Sequence, residues 1–217
     1  MIARSVFGAF VAAAALVGSG CETLKVTKAE PSPHPENYFT ATAHGEALRR
    51  VALLPLFSET YPDQYLRDLD AMFQAELSKK GLFEVVRVSR ADMEALFGER
   101  QFSSTEALPA NVLSRLRERC GADGVLFTDL THFSPYRPVS MGVRAKLVAA
   151  STGQIRWAFD YVFDSGNAAV ADAAKHFQLT RSNEHQPLTN DGGSVLLSPS
   201  RFAKYVASET YASLRQE

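Results

Sequence analysis

The sequence predicts an α/β fold: a single three-layer-like domain with a mixed sheet of about five strands, a C-terminal antiparallel hairpin and flanking helices. Three observations carry this expectation. RRVALLPLF, residues 49–57, is a continuous apolar run without alternation, the pattern of a strand buried on both faces. It is followed by an amphipathic stretch and then by FEVVRVS at 83–89, the strand–helix–strand order of a right-handed parallel unit. Late in the chain, QIRWAFDYVFD puts Ile155, Trp157, Phe159, Tyr161 and Phe163 on one face and Arg156, Ala158, Asp160, Val162 and Asp164 on the other, the period of two of a half-buried strand.

The remaining elements follow in order. In DQYLRDLDAMFQAELSKKG, residues 63–81, Leu66, Leu69, Phe73 and Leu77 recur at helical spacing. Acids come early, Lys79 and Lys80 come late, and Gly81 is placed to cap the end. A short helix is expected near Ala91–Phe97, then a polar loop through Ser103 and Ser104, and a helix from Pro109 to Cys120. GADGVLFTDLTHF, residues 121–133, reads as a third strand entered through two glycines. After a loop at Pro135–Pro138, SMGVRAKLVAA and QIRWAFDYVFD flank Ser151-Thr152-Gly153 as a hairpin. A helix near Asn167–Phe177, a loop from Gln178 to Leu197, and a last helix over Ser200–Arg215 complete the domain. Ser198 is the cap of that helix and Pro199 lies in its first turn. The chain shows no internal repeat, and its 217 residues fit one such domain.

Ahead of residue 49 the pattern changes. Val6–Val17 is an apolar run of 12 residues, short of the roughly 20 that a membrane-crossing helix needs. With Arg4 before it and Gly18-Ser19-Gly20 after it, the run has the layout of an export signal. Residues 1–20 are therefore expected to be a signal peptide, 21–48 a tether, and 49–217 the folded domain. Pro31, Pro33 and Pro35 disfavour helix and promote an extended path in the tether. Ser19-Gly20-Cys21 resembles the lipobox of bacterial lipoproteins. The resemblance implies cleavage before Cys21 and acylation, palmitate included, of its thiol and of the new amino terminus. Membrane lipid is then the first partner, and several acyl chains, at about 0.8 kcal/mol per buried CH2, anchor durably. Glu22 stands where many inner-membrane lipoproteins carry aspartate, so by that family's rule the expected address is the periplasmic face of the outer membrane.

Composition narrows the function classes. Lys and Arg total 23 against 24 Asp and Glu, with no basic cluster, which argues against a nucleic-acid partner. With Cys21 acylated, Cys120 is the one remaining thiol, so no internal disulfide forms, and its place before Gly121 suits a small buried hydrophobe. The five histidines lack metal-ligand spacing such as H-E-x-x-H. Only His132, on a strand with Asp129 and Thr131 nearby, lies in a plausible site, and a structural histidine is the expected role. Asp191-Gly192-Gly193 lacks the lysine and flanks of a phosphate loop, and no G-x-S-x-G elbow occurs. No catalytic residue, metal ligand or cofactor is therefore assigned.

The order RVALLPL, amphipathic helix, FEVV, helix, GADGVLFTDLTHF and LVAASTGQIRWAF resembles the CsgG, LpoB and TolB-amino-terminal-like group of envelope lipoproteins. GADGVL and T-G-x-x-x-W, from Thr152-Gly153 to Trp157, are its most telling pieces, and the likeness covers roughly residues 49–177. It implies a non-enzymatic accessory factor in envelope assembly, secretion or cell-wall synthesis, acting on another envelope protein. The alternatives are a subunit of an oligomeric secretion channel, as CsgG is, and an exported enzyme with an unrecognised site. Strands for a membrane barrel, of about 9–11 residues each, are missing beyond the 143–163 hairpin. Two loops are candidates for partner contact. SPYRPV, residues 134–139, sets Tyr136 and Arg137 between prolines, and tyrosine and arginine are enriched in binding hot spots. The stretch 178–197 is unusually long for a loop inside a compact domain.

Overall fold

The sheet begins earlier than the sequence suggests. The computed structural model describes residues 37–41, 47–182 and 193–215. Within them Tyr38–Thr40 is the first strand, β1, inside the stretch expected to be tether as far as residue 48. It pairs antiparallel with residues 157–159. Tyr38, Phe39 and Thr40 are aromatic or β-branched and lie past the last of the prolines, Pro35, so each has an N–H to give to a ladder. The signal segment, Cys21 and residues 22–36 lie outside the described residues.

The apolar run gives strand β2 over Arg50–Leu53 and continues, buried, as an extended chain to Leu56. Helix α1 spans Asp63–Ser78, β3 Glu84–Arg87 and α2 Arg90–Phe97. Helix α2 starts on a capping box between Ser89 and Asp92. The expected helix at 109–120 forms only over Val112–Cys120, α3, because Pro109 closes a turn onto Val112 instead. Gly121, at φ 63°, ends α3 in the left-handed region that glycine adopts without strain. Strand β4 is Gly124–Ser134, and the hairpin consists of β5, Ser140–Ala149, and β6, Ile155–Asp164. Helix α4 spans Ala168–Ser182, a 3-10 turn spans Gly193–Leu197, and α5 spans Pro199–Thr210. The expected 178–197 loop is thus shorter than read: α4 runs on through its first residues, and the 3-10 turn takes its last five.

The strand order is β1-β6-β5-β4-β2-β3, six strands instead of about five. β2 is parallel to both β3 and β4, and the other pairs are antiparallel. On one face α1, α4 and α5 press Leu66, Phe73, Ala174, Phe202 and Tyr205 onto Val51, Leu126, Val143, Trp157 and Phe163. On the other face α2 and α3 contribute Met93, Val112 and Leu116 to a smaller cluster with Ala52, Val125, Phe127 and Val148. That second layer stops short of the distal part of the hairpin. There the half-buried pair Arg144–Asp160, Nε to Oδ2 at 2.7 Å, spans β5 and β6 instead of an apolar contact.

Two long-range ties fix the helices. Glu76, buried on α1, accepts both terminal nitrogens of Arg181 on α4 at 2.8 and 2.7 Å, and Lys79 Nζ at 2.8 Å. Burial pushes its carboxyl up, and these cations outweigh burial, so the carboxyl is held below its usual range. Arg90, also buried, donates to Leu56 O and Gln101 Oε1, both at 2.8 Å, and faces Asp70 Oδ2 at 3.2 Å. It stitches the chain leaving β2 to α1 and α2.

Candidate partner-binding surface

The 134–139 loop leaves β4 and returns as β5, so its two ends are fixed by the ladder between them. A bulge at Thr131 shifts the register there, and Gly142 sits opposite it: a Cβ at 142 would lie 2.5 Å from Thr131 Oγ1. Val139 is buried, and its carbonyl accepts from Ser165 N at 2.9 Å. Between these anchors Tyr136 is 80% exposed, and the Arg137–Pro138 bond is cis.

The second loop reaches the same place. Within the 3-10 turn Val195 is buried in the main core while Leu197 is 57% exposed. Arg201 on α5 donates to Ser194 Oγ at 2.6 Å, and Ser198 Oγ accepts from Arg201 N, so α5 holds the turn. Between the two loops runs a groove of about 560 Å³, with Arg137, Pro138 and Ser165 on one side and Gly193, Leu196 and Leu197 on the other. Arg137 and Pro138 of the first stretch and Gly193–Leu197, the described end of the second, therefore share one groove, which Tyr136 itself does not line.

An aromatic pad completes that end of the sheet. Tyr61 and Tyr65 stack at 5.8 Å, Tyr65 lies 5.6 Å from Phe133, and Tyr61 Oη donates to Phe133 O at 2.6 Å. Tyr65 remains partly exposed, and its phenol is pushed up first by burial and then by Tyr61. Sequence reading missed Tyr65 and Leu197. The signal available for Tyr65 was its four-residue spacing from Tyr61 across a helix start; for Leu197 there was none beyond an apolar residue beside Ser198-Pro199.

The polar groups considered for chemistry are engaged in structural contacts, His132 at the foot of the 134–139 loop and the others away from it. His132 Nε2 and Ser140 Oγ are 2.8 Å apart, across the strand pair. Asp129 is buried and accepts from Ser103 Oγ at 3.1 Å, Ser104 N at 2.9 Å and Ser104 Oγ at 2.8 Å, while Lys146 Nζ donates to Ser104 O at 2.6 Å. Asp129 thus clamps the 98–111 loop onto β4. Cys120 is partly buried, and burial pushes its thiol up, away from the reactive thiolate. Among the described residues no cluster of His, Cys, Asp and Glu could hold a metal ion, and no helix is long and apolar enough to cross a membrane.

Burial is also the main influence on Asp129, pushing its carboxyl up against the hydrogen bonds from Ser104 and Ser103. A carboxyl raised on folding binds its proton more tightly in the folded state. Its stabilising contribution is fullest below the usual aspartate range and is lost as pH rises through the raised value. Relative to Asp129→Asn, the wild type should therefore gain stability between pH 7 and pH 4. Urea unfolding of both at the two pH values checks this, and parallel pH dependences would contradict it.

No protein-family model matches the sequence, and no curated protein matches it. Solved structures with a similar chain course include a PelC dodecamer from Paraburkholderia phytofirmans, at 14% identity and TM-score 0.42, covering 80% of this chain and 96% of that one. The lipoprotein GNA1162 from Neisseria meningitidis is 18% identical at TM-score 0.43, over 62% of this chain and 99% of its own. LpoB from E. coli is 14% identical at TM-score 0.41, over 74% and 86%.

Proposed function

We propose that this chain is a lipid-anchored accessory protein on the periplasmic face of the outer membrane, acting without catalysis by binding another envelope protein. The observation that carries the reading is the convergence of the 134–139 loop and the 193–197 turn on one groove, with Leu197 exposed in its lining and Tyr136 exposed on the loop. Aromatic side chains and an arginine held on rigid supports are the usual composition of a binding hot spot, because little entropy is lost in fixing them. The 134–139 loop is tied at both ends and carries two prolines, and the 3-10 turn is held by α5, so the surface is formed before any partner arrives. The export-signal layout and Cys21 support the anchored location.

The test is the double variant Tyr136→Ala/Arg137→Ala, with Leu197→Ala as a second. All three side chains are exposed, so the unfolding midpoint should move by no more than about 2 °C. Affinity for the protein that co-purifies from gently solubilised envelopes should fall by about tenfold or more, which is about 1.4 kcal/mol. Unchanged affinity in both variants would refute the assignment of this surface.

A further inference from the structure

Helix α4 is held unevenly along its length. Its first half buries Val170, Ala171 and Ala174 in the core. In its second half Phe177 is only partly buried and Leu179 is 40% exposed, so little apolar area fixes the last two turns. What holds them is Arg181. Its guanidinium lies 4.4 Å from the centroid of the Phe177 ring and reaches Glu76 of α1 with two hydrogen bonds, at 2.8 and 2.7 Å.

Glu76 is 1% exposed, so its carboxylate has left water and depends on cations to keep its charge. Lys79 supplies one contact from the same helix, at 2.8 Å, and Arg181 supplies two from another. Lys80 of the same helix end, Glu209 of α5 and Arg215 beyond α5 are the other charges at this junction. Withdrawing Arg181 leaves a buried carboxylate with Lys79 as its one hydrogen-bonded cation.

Helix α4 also backs the groove. It packs against the 3-10 turn Gly193–Leu197, and so does α5. Phe177, beside Arg181, meets Tyr205 of α5 edge-on at 5.7 Å, and Phe177 and Leu196 of the turn pack against the same core. Leu196 and Leu197 then line the groove. The route from Glu76 to that wall runs through Arg181, Phe177 and the pair of helices that hold the turn.

We propose that the Arg181–Glu76 pair is a latch that keeps the Gly193–Leu197 wall of the groove in its binding form. Arg181 and Glu76 are positioning residues: neither lines the groove, yet closure of the pair and occupation of the groove favour each other. The inference rests on the reading of the groove as the partner site, and it adds how that site is kept in shape.

The test compares Arg181→Gln, Arg181→Lys and Glu76→Gln in the full chain by amide exchange at one pH. In Arg181→Gln and Glu76→Gln, exchange at Val195, Leu196 and Leu197 should speed up by about tenfold or more, while residues 125–127 of β4 and 143–147 of β5 stay within about twofold of the wild type. Arg181→Lys keeps a cation within reach of Glu76 and should fall between. Affinity for the protein that co-purifies from gently solubilised envelopes should drop by about threefold or more in Arg181→Gln. With that protein bound to the wild type, exchange at residues 178–181 should slow, as reciprocity requires. Unchanged exchange at 195–197 would overturn the proposal. So would acceleration spread evenly over β4 and β5, which is an ordinary loss of stability, and so would a loosened wall that binds with wild-type affinity. The exchange comparison needs no partner, so a groove that binds nothing and a latch that positions nothing give different results.

Discussion

Trp157→Ala is expected to cost the domain about 3–5 kcal/mol, the range for removing a fully buried aromatic side chain. Trp157 is 1% exposed; it stacks on Phe159 at 6.0 Å, lies 6.3 Å from Tyr211, and donates its indole N–H to Ser213 Oγ at 3.1 Å. It joins the hairpin to the end of the chain, so truncation opens a cavity and also frees the residues after α5. Equilibrium urea unfolding measures the loss, and a change below about 1 kcal/mol would mean that the site collapses around the missing ring. Trp157→Phe should recover much of the volume and lose about 1–2 kcal/mol, in part for the unpaired Ser213.

The largest effect on location is expected from Cys21→Ala. If Cys21 carries the acyl chains, the wild type fractionates with membranes and takes up labelled fatty acid. The variant should shift to the soluble envelope fraction without label. Each buried CH2 contributes about 0.8 kcal/mol, so losing the chains removes the whole anchor and not a fraction of it. A wild type that takes up no fatty acid would contradict the assignment.

The main elements were legible because each leaves a local pattern. The uniform apolar run at 49–57, the helical spacing of Leu66, Leu69, Phe73 and Leu77, and the two-residue period of β6 are all readable from neighbours in sequence. β1 was not, because three residues make too short a pattern and the prolines before them read as tether. The start of α3 was misplaced because Pro109 suits a turn and a first helical turn alike. Helix α4 ran past its expected end because its last residues are held by an ion pair between Arg181 and Glu76, 105 positions apart in sequence. Of the proposed binding surface, Tyr136 and Arg137 were visible as side chains set between prolines. Their neighbourhood with Leu197 was not, since nothing local to either loop encodes the return of α5 to the end of the sheet.

The most direct test of the central claim, a chain that acts by binding another envelope protein through the 134–139 and 193–197 surface, is the mass of the native particle. It is extracted in mild detergent from cells carrying the wild type or Tyr136→Ala/Arg137→Ala. The expected result is one or two copies bound to a larger envelope protein in the wild type, and the same chain released from it in the variant. A ring of many identical copies, or a particle unchanged by the substitutions, would contradict it.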